Sequence, residues 1–224
     1  SGTIEAGIAV GNNTNTNAGD AAIRNYGATI TTITNSGTIE AIEQTIQNEK
    51  GGVIDTITNS GTITASGRDQ QAIRVDGTGS IIRTIINTGT ISATLNNQYV
   101  DRGTIRVRDG GEITTITNSG TISGLGAKSS ATIYIGELGT IGTITNSGSI
   151  TSRSHEGSIN NHGSIGIINN SGTITNTNDD TESAAIRNTD SGTITTITNT
   201  GTITGENVDI RNANNNGYTG IITT

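Results

Sequence analysis

The sequence predicts an all-β chain: a parallel β-helix with three short strands per rung and about eight rungs, with residues 1–224 forming one domain. Three observations carry this. One phrase returns nearly verbatim: TITNSGTIEA at 32, TITNSGTITA at 56, TITNSGTISG at 115, TITNSGSITS at 143 and TITNTGTITG at 196. The chain holds 43 Thr and 38 Ile, whose branched Cβ suits a pleated surface, and it has no Pro. Finally, the length variation between copies collects at one corner of the period.

That period is marked by Gly37, Gly61, Gly89, Gly120, Gly148, Gly172 and Gly201, spaced 24, 28, 31, 28, 24 and 29 residues apart. Three apolar columns recur around them. The first follows the glycine: Ile4, Ile39, Ile63, Ile91, Ile122, Ile150, Ile174 and Ile203. The second is Ile23, Ile46, Ile73, Ile105, Ile133, Ile159, Ile186 and Ile210. The third precedes the Asn: Ile33, Ile57, Ile85, Ile116, Ile144, Ile168, Ile197 and Ile221. From third to first is always six residues, from second to third nine to twelve, and from first to second seven to nineteen. A tight corner, a nearly tight corner and a loose one are what a three-sided coil requires. Rungs at strand spacing, about 4.8 Å, make a rod of roughly 40 Å. The glycine after each Asn is expected to supply an unusual backbone angle.

The absence of Phe, Trp, Met and Cys implies a narrow core of stacked aliphatics. A hydrophobic fraction of 29% is low for a compact globule and suits a thin solenoid. The formal charge of −7 argues against a nucleic-acid partner, which calls for a basic footprint. Without cysteine there is no disulfide framework, and no apolar run reaches 18 residues. No secretory signal is legible, and the chain starts and stops inside repeats, so it reads as an excised piece of a longer, non-membrane-embedded segment.

Asn35, Asn59, Asn87, Asn118, Asn146, Asn170 and Asn199 form a column two residues after an inward Ile. An amide can donate to one neighbour and accept from the other, so a structural ladder is expected rather than a ligand site. A second inward column runs Asn25, Asn48, Val75, Val107, Ile135, Asn161, Asn188 and Asn212, changing chemistry midway. Between these inward pairs stand Arg24, Arg74, Arg106, Arg187 and Arg211, with Gln47, Tyr134 and Asn160 in the remaining places. They are expected to face out, as a surface ion network or a contact stripe.

Thr pairs flank the third column, as at Thr32/Thr34 and Thr115/Thr117. Such pairs on a flat solenoid face are similar to ice-binding surfaces. Ile86 interrupts the array once, and Ile167 with Asn169 interrupts it again. The loose corner varies most, and insertions on a solenoid map to one side, often the contact side. Tyr99, Arg102 and Lys128 are the contact candidates there, because Tyr and Arg are favoured in interfaces.

No catalytic residue is nominated. Asp55, Glu112 and Glu137 do not stand together at a shared repeat position, as paired-carboxylate chemistry requires. Asp179, Asp180 and Glu182 are a weak calcium signal, and His155 with His162 a weak zinc one. No cofactor motif is present.

The segments Ile33–Ile39, Ile57–Ile63, Ile116–Ile122, Ile144–Ile150, Ile168–Ile174 and Ile197–Ile203 resemble the degenerate repeats of bacterial autotransporter passenger domains, of the adhesin and self-association type. The resemblance covers almost the whole chain and implies a right-handed β-helix. It also implies export across the outer membrane, a place at the cell surface or in secreted form, and a role in adhesion, aggregation or biofilm formation, with itself, a host receptor or a glycan as partner. What matches is scaffold, so no functional residue is carried over. The competing readings are a structural spacer in a secreted protein, a carbohydrate-active β-helix and an ice-binding solenoid.

Overall fold

The computed structural model describes residues 21–67, 70–94, 102–125, 130–181, 183–212 and 221–222. They coil into a right-handed parallel β-solenoid with three sheets. The first sheet begins with Ile23–Tyr26 and ends with Val208–Asn212, eight strands in order. The second runs from Thr29–Asn35 to Ile221–Ile222, also eight, and the third from Thr38–Ala41 to Thr202–Gly205, seven. Each strand pairs in parallel with its counterpart one rung on, and like residues meet: Ile33 with Ile57, Asn35 with Asn59, Ile39 with Ile63.

The core is one continuous stack of isoleucines. Burying each is worth about 1.5–3 kcal/mol. It includes a fourth inward column that the three-column reading lacks: Ile54, Ile82, Ile113, Ile141, Ile165 and Ile194, with Ile30 packed against them. Its signal in the sequence is the spacing Ile-x-x-Ile, which breaks strict alternation. In the strand Glu112–Asn118, Ile113 and Ile116 point in while the neighbours Thr114 and Thr115 both lie toward the outside. The second-sheet strand therefore bends at that pair and contributes two inward isoleucines and an Asn per rung.

The repeated glycines act through space, not through an unusual backbone angle. None of Gly37, Gly61, Gly89, Gly120, Gly148, Gly172 and Gly201 is among the residues with positive φ. A Cβ on Gly120 would lie 2.1 Å from the Gly89 carbonyl oxygen, and one on Gly148 would lie 2.2 Å from that of Gly120. The corner is so tight that successive rungs touch backbone to backbone.

At the opposite corner, hydroxyls stitch the first sheet to the third. Thr45, Thr104, Thr132 and Ser158 are buried and share one repeat position. Their Oγ atoms donate to the carbonyls of Thr64, Ser123, Thr151 and Thr175 at 2.7, 2.9, 2.6 and 2.6 Å. Ala22, Ala72 and Ala185 take this position in other rungs.

Candidate functional site

The Asn column is a closed hydrogen-bonded chain. Each Nδ2 donates to Oδ1 of the next Asn, through Asn35, Asn59, Asn87, Asn118, Asn146, Asn170 and Asn199, at 2.7–2.8 Å. The same group reaches the carbonyl two residues on and one in the rung above, as Asn118 does with Gly120 and Ser149. From Asn35 to Asn170 the amides are buried, while Asn199 is exposed. With donors and acceptors spent inside, this column holds the tight corner together and offers nothing to a ligand over its buried length.

The second Asn column is built alike in two separate stretches. Asn25 donates to Asn48 at 2.8 Å, and Asn161 to Asn188 at 2.7 Å. Between them Val75, Val107 and Ile135 are fully buried and belong to the isoleucine core.

The outer face of the first sheet carries a further column. There Arg24, Gln47, Arg74, Arg106, Tyr134, Asn160, Arg187 and Arg211 stand in one register, one per rung. The expectation that this column faces solvent holds for Arg24, holds in part for Arg74 and Arg211, and fails for the rest. Arg106 is 1% exposed and Arg187 is 5% exposed, and Gln47, Tyr134 and Asn160 are buried as well. Carboxylates lie over much of the column: Glu49 and Asp76 end the strands Ile46–Glu49 and Ile73–Asp76, two residues past Gln47 and Arg74, and Glu156 reaches in from a turn. Glu49 takes Arg24 and Gln47, the latter at 2.9 Å. Glu156 takes Asn160 at 2.5 Å and Arg187 at 2.7 Å.

The densest point is Asp76. Its Oδ2 lies 2.7 Å from Arg74, 2.9 Å from Arg106 and 3.6 Å from Arg108, and Arg108 also lies 2.9 Å from Asp109. Burial lowers the Arg106 pKa to about 10. Asp76 opposes that shift, while Arg108, Arg74 and Arg102 add to it. Above this cluster the Tyr134 ring stacks at a tilt on His162, with centroids 5.4 Å apart, and His162 Nδ1 lies 2.5 Å from Asp190.

The remaining candidates do not converge. Arg102 opens the strand Arg102–Arg108 and is partly exposed. Tyr99 and Lys128 lie outside the described residues, as do Ile4 and Glu182. His155 pairs with Asp180, a different partner from that of His162. Asp55 pairs with Arg83 at 3.0 Å, and Glu112 accepts from Thr114 at 2.8 Å. Among the described residues no group of three His, Cys, Asp or Glu is placed to hold a metal ion, and no helix is long and apolar enough to cross a membrane. The Thr pairs lie on the outer side of the second sheet, where Ile86 and Ile167 are 36% and 39% exposed.

Coil and ladders together define a right-handed parallel β-solenoid whose recurring motif is consumed by its own scaffold. No family model, no curated protein and no solved structure matches the chain.

Proposed function

We propose that the chain is a stretch of a cell-surface adhesin or self-associating passenger, exported across the bacterial outer membrane and without catalytic activity of its own. One observation carries the reading. The repeated residues close on each other inside the rod, so they are withdrawn from contact and much of the sequence individuality falls on the outer face of the first sheet and in the loose corner. A rod whose repeated motif is spent inside is suited to presenting contacts at a distance from a surface. The resemblance of the ITNSGTI segments to passenger repeats supports the same conclusion. Cells displaying the parent protein are expected to settle or adhere faster than cells lacking this segment, and the purified chain to scatter light in a concentration-dependent way. Unchanged settling and adhesion on its deletion would rule the proposal out.

A further inference from the structure

The cluster around Asp76 is out of balance in charge and in hydrogen bonding. Arg74, Arg106, Arg108 and the nearby Arg102 face two carboxylates, Asp76 and Asp109. Glu49, one rung below Asp76, is already held by Arg24 and Gln47. A guanidinium carries five N–H donors, so three of them around a single carboxylate leave a surplus. Unmatched atoms lie on both sides of the pairing: Arg106, whose side chain is 2% exposed, has no hydrogen-bonding partner for its Nε, and Asp76 has none for its Oδ1, so the arginines are not fully saturated by this carboxylate. The neighbouring rung below adds a buried acceptor, Gln47 Oε1, that is likewise unmatched. The side chains of Arg74 and Arg108 are 22% and 36% exposed, so the cluster opens to solvent on one side. All this sits in a chain of net charge −7, where a positive focus stands against the background.

We propose that Arg74, Arg106 and Arg108 form an anchor for a carboxylated sugar, a uronate unit of an acidic polysaccharide lying along the first sheet. The forks are already set around one carboxylate, that of Asp76, and planar bidentate recognition is what a guanidinium does best. A sugar carboxylate bridging Arg74 and Arg108 supplies the missing negative charge. The net negative charge elsewhere repels a uniformly dense polyanion and favours a ligand whose charges are spaced by neutral atoms.

This rests on the reading of the chain as a surface-exposed binding rod, and the test separates the two. Titration calorimetry of the purified chain at low salt would use oligogalacturonate, dextran sulfate and neutral dextran. Oligogalacturonate is expected to bind, neutral dextran not to, and the affinity to fall as salt rises. Arg108→Gln is expected to weaken binding about 3–10-fold, and Arg74→Gln with Arg108→Gln about 30-fold or more, the scale of one or two charge-assisted hydrogen bonds. The single variant removes a partly exposed side chain and leaves the Arg74–Asp76–Arg106 contacts in place, so it reports even where the double variant folds poorly. Wild-type protein that ignores oligogalacturonate, binds only dextran sulfate, or binds equally after Arg108→Gln in folded protein overturns the site. Cell settling that persists without uronate binding would sink this anchor alone. Uronate binding without any effect on settling or adhesion would sink the adhesin reading and leave the anchor standing.

Discussion

The amide of Asn118 donates to Oδ1 of Asn146, 28 residues along the chain and one rung away, at 2.8 Å. Through the same nitrogen it reaches the carbonyls of Gly120 and Ser149. A single side chain thus fixes its own corner and docks the next one. Asn118→Ala is expected to cost about 2–4 kcal/mol, because buried carbonyls and the Asn87 donor lose their partner. Asn118→Asp keeps the shape but turns the donor into an acceptor facing carbonyl oxygens. Its penalty relative to wild type should be larger at neutral pH than in mild acid, where the buried carboxyl can take a proton. Urea denaturation at both pH values checks this.

Room, rather than backbone angle, sets the glycine requirement at the tight corner. Gly120→Ala drives a methyl to 2.1 Å from the Gly89 oxygen and is expected to destabilise by about 3 kcal/mol. At Gly37 a Cβ meets nothing within 4 Å among the described residues, so Gly37→Ala is expected to cost far less. Thermal melts of the two variants side by side give the comparison.

Arg74 and Arg106 depend on the Asp76 carboxylate, which Arg108 shares while pairing more closely with Asp109. Asp76→Asn leaves Arg74, Arg106 and Arg108 facing each other and is expected to cost about 3–5 kcal/mol, as for other buried pairs broken on one side. The loss should shrink as added salt screens the repulsion among the exposed members. Melting temperatures across a salt series read both effects.

Arg106 carries a pH signature. Burial lowers its pKa to about 10, below the usual guanidinium range, so from about 10 up to that range the unfolded chain binds more protons than the folded one. Stability from this residue therefore rises with pH from about 10 upward, and below that the penalty of the buried charge is present in full and constant. Relative to Arg106→Met, the wild type should gain stability as pH climbs through about 10. Denaturation of both proteins from pH 8 upward tests the sign.

Much of this fold is legible because its periodicity is literal. The spacing Ile33–Asn35–Gly37–Ile39 repeats without slack, and each of those residues stacks on its like. The fourth isoleucine column is harder to read, since Ile113 and Ile116 are three apart and a strand is expected to alternate in twos. Only the bend at Thr114–Thr115 brings both inward. The burial of Arg106 and Arg187 is not legible at all. Their column position says outward, and what lies over them, Asp76 at the end of a neighbouring rung's strand and Glu156 in a turn, belongs to another rung that the linear spacing does not bring close. The hydroxyls of Thr45, Thr104, Thr132 and Ser158 form a column of small residues before Ile, but the sequence does not show that their acceptors lie on the third sheet.

The stacking of rungs is tested most directly by distance. The chain has no cysteine, so spin labels can be placed at will. Thr32 stands four rungs from Thr143 and six from Thr196 in one register column of the second sheet. Labels on Thr32→Cys/Thr143→Cys and Thr32→Cys/Thr196→Cys should give narrow separations of about 19 Å and about 29 Å, in proportion to rung number at strand spacing. Broad distributions, or separations that do not grow with rung count, would contradict the coil and everything built on it.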